Sequence, residues 1–404
     1  MSLVVQKFGG TSVADPERLR AVADHVARTR RRGDDVVVVV SAMGKETDAL
    51  IRLADEIATR QPGREWDMLV TAGERKSMAL LTMALHDYDC AAESFTGSQA
   101  GIITDEAHTK AKILDIRPDR IERALAEGKV AVVGGAQGVS TGNDVTFLGR
   151  DASDITAVAL AHALGAESCE LYTDVSGVFT ADPRLVPGAR KLAQLSFDEM
   201  LEMCGAGCPK PAMRSVEFAR TFGVRLHVRS SFTWEPGTWI REEDLQMEQP
   251  IISAVVHDVS EAKVTVTQVP DHPGIAARLF RSLADGRVNV DMIVRNTSVH
   301  GTTDISFTVP KADLVVAEEV CRAHAGDIGA GAVTTVGAIA KVSLVGAGMK
   351  TNPGVSAQMF EVLAEHAINI EMISTSPIRI TCVVGADQVE EAVTALHEAF
   401  GLDH

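Results

Sequence analysis

Two apolar periods alternate along the first 232 positions of this 404-residue chain. Short, nearly unbroken apolar runs read as strands buried on both faces: Leu3–Phe8, Val36–Ser41, Ala92–Thr96, Val130–Gly134, Glu170–Asp174 and Arg225–Arg229. Between them apolar residues return at helical spacing, as over Pro16–Arg30, Arg120–Glu127 and Ser153–Leu164. Strands alternating with helices predict an α/β domain over residues 1–232, a mostly parallel sheet covered by helices on both faces. Ligands of such sheets bind beyond the carboxyl ends of the strands, where Lys7, Ser41, Gly135 and Asp174 fall.

Residues 233–250 read as a linker, with Pro236-Gly237, the charged run Arg241-Glu242-Glu243-Asp244, and Pro250. The pattern beyond it repeats. Ala262-Lys263-Val264-Thr265-Val266 matches Ala340-Lys341-Val342-Ser343-Leu344, and Pro273-Gly274 matches Pro353-Gly354. Val288-Asn289-Val290-Asp291-Met292-Ile293 matches Ile368-Asn369-Ile370-Glu371-Met372-Ile373. Each copy reads strand, Pro-Gly loop, helix, Asn-containing turn, strand, giving α+β units over 251–335 and 336–404. One unit is too small to bury both faces of its sheet, so the two are expected to pair.

The first strand ends in Lys7-Phe8-Gly9-Gly10-Thr11-Ser12. A lysine, two glycines and two hydroxyls ahead of a helix can hold a phosphate chain. An ordinary strand-to-helix turn with a solvated lysine fits the same pattern. Glu74 opens a helix among apolar neighbours, and a solvated first-turn glutamate reads alike. Arg150 and Asp154 suit the carboxylate and ammonium of a zwitterion, or a plain i,i+4 ion pair.

Composition narrows the partners. A formal net charge of −16 argues against nucleic acid, and Arg28-Thr29-Arg30-Arg31-Arg32 reads as a helix C-terminus. No apolar run reaches membrane-spanning length and no signal-peptide pattern opens the chain, so a cytoplasmic protein is expected. Six scattered cysteines give no disulfide framework. Cys204 and Cys208 lack a second pair for zinc, and no resident metal is expected.

The chain resembles the aspartate kinases of the amino acid kinase superfamily, actinobacterial type, with C-terminal tandem ferredoxin-like ACT domains. The resemblance runs from the Lys7 loop through Val40-Ser41-Ala42-Met43-Gly44, Thr71-Ala72-Gly73-Glu74-Arg75, Ser94-Phe95-Thr96-Gly97 and Leu148-Gly149-Arg150 to Tyr172-Thr173-Asp174. Asp182-Pro183-Arg184, His227-Val228-Arg229-Ser230-Ser231-Phe232 and the repeats follow it. It implies the amino acid kinase fold and ATP-dependent transfer to the β-carboxylate of L-aspartate, with Mg²⁺ arriving on the ATP. Lys7 and Asp154 would be catalytic, and Lys7, Gly9, Gly10, Thr173, Asp174, Phe179, Asp182, Arg184 and Lys210 would bind ATP. Ser41, Thr47, Glu74, Arg150, Ser153 and Asp154 would bind the amino acid. Lysine or threonine effectors would meet Asp271, Pro273, Gly274, Asn289, Asp291 and Arg295 in the first repeat. Thr351, Gly354, Val355, Asn369 and Ser374 are the counterparts in the second. Homo-oligomers, or assembly with a shorter regulatory chain started at Met247, are expected.

Four departures from the family pattern surround the reacting groups. Asp151-Ala152 stand where two glycines are usual, Ser176 replaces an aspartate, and Ala136 replaces a phenylalanine. Gly207 stands where a lysine is expected to touch ATP, with Lys210 in a longer loop as its candidate replacement. A divergent kinase for another amino acid, or a catalytically weak regulatory homologue, therefore stands beside the aspartate kinase reading. Arg295, where glutamine is more usual, is expected to weaken inhibition by lysine.

Overall fold

Val36 to Val40 are all fully buried, which a strand achieves only when both faces of its sheet are covered. The computed structural model describes residues 2–242, 251–295 and 301–404; Met247 lies outside them. Eight strands form the main sheet, in the order Gln194–Ser196, Thr238–Arg241, Leu226–Ser230, Ser168–Thr173, Leu3–Phe8, Asp35–Val40, Val130–Gly134, Ala92–Phe95. Every neighbouring pair is parallel except Leu226–Ser230 with Thr238–Arg241. Val4, Phe8, Val36, Val38 and Val40 pack with Leu19, Val22 and Val26 of helix Pro16–Arg31 and with Leu81 and Leu85 of helix Ala72–His86. The alternate residues point to the opposite face, and helix Ser153–Ala163 packs against the Leu3–Phe8 strand.

The expected linker begins later than its composition indicates. Thr238 and Ile240 are buried while Trp239 and Arg241 are half-buried, a period-2 pattern that the adjoining Pro-Gly and charged run obscure. Gly237 is forced by close approach, since a Cβ there would lie 1.7 Å from the Val228 carbonyl oxygen. A second, four-stranded sheet, in the order Ile113–Ile116, Ile102–Thr104, Gln137–Ser140, Val145–Phe147, was not evident from the pattern. Its strands of three and four residues are too short to show a period. Buried Asp67 fixes it, accepting hydrogen bonds from His108 Nδ1 at 2.8 Å, the Thr109 N–H at 2.9 Å and the Phe147 N–H at 3.0 Å.

Cα proximity divides the chain into two compact units. The first takes the described residues of Met1–Val178, Lys191–Cys204 and Pro209–Met247; the second takes those of Phe179–Arg190, Gly205–Cys208 and Glu248–His404. The 1–232 span thus cedes two short segments to the second unit.

In the second unit each repeat builds a four-stranded antiparallel sheet with two helices. The first sheet orders Ile293–Arg295, Thr302–Pro310, Glu261–Pro270, Val333–Val336, and helices Ile275–Asp285 and Leu314–Ala325 complete its core. The other orders Ala254–Asp258, Ile339–Val345, Arg379–Gly385, Met372–Ser376, with helices Val355–Glu365 and Val389–Ala399. Its edge strand Ala254–Asp258 falls within the 251–335 span yet pairs with Ile339–Val345 of the second. A boundary at 335 therefore does not separate the repeats, which are interlocked through this strand.

Candidate active site

Register brings the predicted groups together. Lys7 pairs across the sheet with Val39 on one side and Leu171 on the other. The chain leaving these three strands therefore delivers Gly9-Gly10, Ser41 and Thr173-Asp174 to one end, as parallel pairing demands. They line a cavity of about 330 Å³ with Lys7, Thr47, Glu74, Arg150, Asp151, Ser153 and Lys210.

Lys7 is buried and its Nζ lies 2.5 Å from Asp154 Oδ1, with side-chain exposures of 8% and 3%. The reading of Lys7 as a solvated turn residue is thereby excluded. Asp154 stands in the first turn of helix Ser153–Ala163, and its Oδ2 accepts from the Ala212 N–H at 3.3 Å. Burial gives this pair a low local dielectric, where a fixed ammonium acts strongly on a nearby phosphate.

The glycine turn works by approach more than by donation. The Gly9 N–H is taken by the Tyr172 carbonyl at 3.2 Å, which removes it as a phosphate donor in this conformation. Gly10 opens a 3₁₀ turn, Gly10–Val13, and the following helix is capped separately by Asp15. Ser12 is buried and accepts from Ser231 Oγ at 2.7 Å, so its hydroxyl belongs to the core. A Cβ on Gly10 would stand 2.9 Å from the Ala42 carbonyl oxygen and 3.1 Å from that of Gly44. Gly10→Ala is therefore expected to cost about 1–3 kcal/mol through overpacking and to lower turnover. A thermal melt and a steady-state assay check it, and an unchanged melting temperature would overturn it.

Glu74 lies in the first turn of helix Ala72–His86, buried, with Oε2 lacking a hydrogen-bond partner. Burial pushes its carboxyl up to about 7, against the opposing pull of the Glu74 and Ala42 backbone N–H groups. Such an atom is built for a cationic partner. Ser41 donates to Ser153 Oγ at 3.0 Å, and Thr47 lines the same cavity from helix Glu46–Ile57. Arg150 and Asp154 do not pair with each other. Asp154 holds Lys7, while exposed Arg150 holds Asp48 of helix Glu46–Ile57.

Asp48 and Lys45, which also line the cavity, were missed by the sequence reading. Their signal was the Lys45-Glu46-Thr47-Asp48 run directly after Ser41-Ala42-Met43-Gly44.

Two departures explain themselves. Position 207 has φ +116, and a Cβ there would lie 2.5 Å from the His257 carbonyl oxygen, so a lysine cannot stand at Gly207 in this conformation. Lys210 enters the cavity instead and meets Asp151 Oδ1 at 2.8 Å. Burial opposes Asp151's ionisation, yet Lys210, with Lys7 and Arg150 beyond, outweighs it and holds the carboxyl below its usual range.

Phe179, Asp182 and Arg184 belong to the second compact unit. Arg184 Nη2 binds Asp182 Oδ2 at 2.6 Å, and the Leu185 and Val186 N–H groups bond the Asp182 carbonyl, forming a closed turn.

The proposed effector positions of the second unit are mostly exposed. Asp271 pairs with Arg295, and Asp291 pairs with Lys341 at 2.7 Å. Lys341 is itself buried, with Glu261 at 3.3 Å and Asp258 at 3.6 Å. Gly274 and Gly354 take φ +92 and +105 as N-caps of equivalent helices, while Val355 is buried. None of the six cysteines forms a disulfide, and no helix among the described residues is long and apolar enough to cross a membrane.

Comparison with known proteins agrees with this geometry. The amino acid kinase family model matches residues 2–230, and the ACT domain model matches 264–324 and 342–400. The aspartokinase of Mycolicibacterium smegmatis is 52% identical over 407 aligned positions, covering 100% of this chain and 97% of its own. That of Pseudomonas aeruginosa is 49% identical, with 100% and 98% covered. The crystal structure of E. coli aspartokinase III in complex with aspartate and ADP superposes with a TM-score of 0.83 at 25% identity, covering 98% of this chain and 99% of that one. The chain belongs to the aspartokinases, ATP-dependent kinases that join an amino acid kinase domain to ACT domains.

Proposed function

We propose that this chain transfers the γ-phosphoryl group of MgATP to the β-carboxylate of L-aspartate, giving 4-phospho-L-aspartate and ADP. The observation that carries the reading is the buried Lys7–Asp154 pair beside the orphaned Glu74 carboxylate in one cleft. The E. coli relative solved with aspartate and ADP supports the choice of ligands.

A carboxylate oxygen of aspartate attacks the γ-phosphorus as the bond from that phosphorus to the β-bridging oxygen breaks, leaving ADP. The nucleophile is already ionised at neutral pH, so no general base is required. Catalysis then rests on positioning and charge. Lys7 neutralises the transferring phosphoryl group, and Asp154 fixes the ammonium. Glu74 receives the substrate ammonium, while Arg150 turns from Asp48 to the α-carboxylate. Ser41, Thr47 and Ser153 supply hydroxyls, with Gly9 and Gly10 permitting close approach. Thr173, Asp174 and Lys210 face the nucleotide. Mg²⁺ neutralises phosphate charge when it arrives with ATP. The Asp174 carboxylate and Thr173 hydroxyl, bonded to each other at 2.9 Å, are hard oxygen donors of the kind it takes.

Purified protein, MgATP and each of the twenty amino acids, with acyl phosphate trapped by hydroxylamine, test this reading. Turnover with aspartate supports it. Turnover with another amino acid alone replaces the substrate, and none with any replaces the enzyme by a regulatory homologue.

The reaction fits the entry step of lysine, threonine and methionine biosynthesis. We assign the ACT repeats to amino-acid effectors, in a homo-oligomer or an assembly with a shorter chain begun at Met247. At the first repeat Arg295 already neutralises Asp271, so an incoming lysine ammonium meets a guanidinium. Weak inhibition by lysine is expected, strengthened by Arg295→Gln. Strong inhibition unaltered by that substitution, read from initial rates, would remove the assignment.

A further inference from the structure

Of the three lysines lining the cleft, Lys7 and Lys210 each hold an aspartate, and the settings of the two pairs differ. Lys7 and its partner Asp154 are buried at 8% and 3% exposure. Lys210 and Asp151 are 34% and 63% exposed. A buried pair is costly to separate, whereas a pair with one partner well exposed to water parts more readily. The anchors differ too. Asp151 has φ +58, a left-handed conformation that glycine, asparagine and aspartate tolerate best. It turns the carboxylate back across the cleft to Lys210, 59 positions away in sequence. Burial opposes the charge on Lys210, but Asp151, with Asp154 and Asp174 beyond, outweighs it and keeps the ammonium protonated.

We propose that Asp151 holds Lys210 as a stand-by cation and releases it to the phosphate chain of an arriving nucleoside di- or triphosphate. This rests on reading the cleft as a nucleotide site. Phosphate offers the ammonium more negative charge than one solvated carboxylate, so the exchange is favourable. No bond is made or broken; one ion pair is traded for another. The carboxylate competes with phosphate for the one ammonium, and Asp151 thereby lowers nucleotide affinity. Asp151 is a positioning residue acting through Lys210, and it sets how readily product leaves.

Calorimetric titration of the full-length protein with MgADP tests the exchange, independently of the amino-acid substrate. Asp151→Asn and Asp151→Gly both accommodate positive φ, and each is expected to tighten MgADP about fivefold. Lys210→Met is expected to weaken it about tenfold. Asp151→Asn added to Lys210→Met should leave affinity near that of Lys210→Met, because no cation remains to be freed. A fold defect does not tighten a ligand, so the gain in the first two variants is diagnostic. Weaker binding by Asp151→Asn would make Asp151 an anchor and overturn the exchange. A double variant restored to wild-type affinity would overturn it in favour of a fixed pair acting through net charge. Equal affinity in all variants overturns the exchange while leaving the nucleotide site intact. Wild-type protein that binds no MgADP overturns both.

Discussion

Lys7→Met is expected to lower kcat about a thousandfold or more, the scale at which a preorganised charge on a transferring phosphoryl group acts. KM for aspartate should change little, because the ammonium serves the transferring phosphate. The substitution also strands Asp154, whose side chain is 3% exposed. An uncompensated buried carboxylate costs on the order of 3–5 kcal/mol, so part of any lost activity could be lost folding. The pair separates the two effects. Adding Asp154→Asn to Lys7→Met removes the stranded charge and should restore most of the melting temperature while leaving turnover absent. Trapped acyl phosphate, measured beside a thermal melt, reads both quantities. A double variant that regains turnover with stability would show that Lys7 serves the fold alone. Lys7→Met retaining a tenth of wild-type kcat would remove it from the chemistry.

The Lys7 loop was legible because the code for it is local. An apolar run ends at a lysine and two glycines, and parallel register then dictates that neighbouring strands release their loops beside it. The same logic located Ser41 and Asp174. Partners distant in sequence left no such mark. Nothing around Asp151 names Lys210, and nothing around Arg150 names Asp48 rather than Asp154, four residues away. A helix-spaced pair of opposite charge is only an option for pairing. Strand Ala254–Asp258 teaches a related lesson, since its apolar pattern suits either repeat's sheet. Only the observed ladder with Ile339–Val345 assigns it to the second. Phe179, Asp182 and Arg184 are assigned to the nucleotide by resemblance alone, since the Asp182–Arg184 turn carries no local mark of a ligand. Motif order carries family; it does not by itself carry contact.

Glu74→Gln should separate stability from affinity in opposite directions. Burial raises the Glu74 carboxyl from 4.5 to about 7, so the native state binds a proton more tightly than the unfolded chain. Stability is then greatest where both states are protonated and falls as pH rises from about 4.5 to about 7, becoming constant above. Two and a half pH units correspond to about 3 kcal/mol withheld from the fold at pH 8. Glutamine has no charge to desolvate, so Glu74→Gln is expected to be the more stable protein at pH 8. Its advantage in melting temperature should shrink toward pH 5. Affinity should move the other way. Without the carboxylate, the substrate ammonium meets a neutral amide, and KM for aspartate should rise about a hundredfold, near the value of a buried charge-assisted bond. In the wild type the same ionisation should appear in kcat/KM for aspartate. It would climb about tenfold per pH unit below 7 and level off above, and the glutamine variant would lose that limb. A variant with wild-type KM, or one whose melting advantage does not depend on pH, would show that the orphaned carboxylate has no ammonium to meet. The cost of keeping Glu74 buried is thus read as the binding energy held ready for substrate.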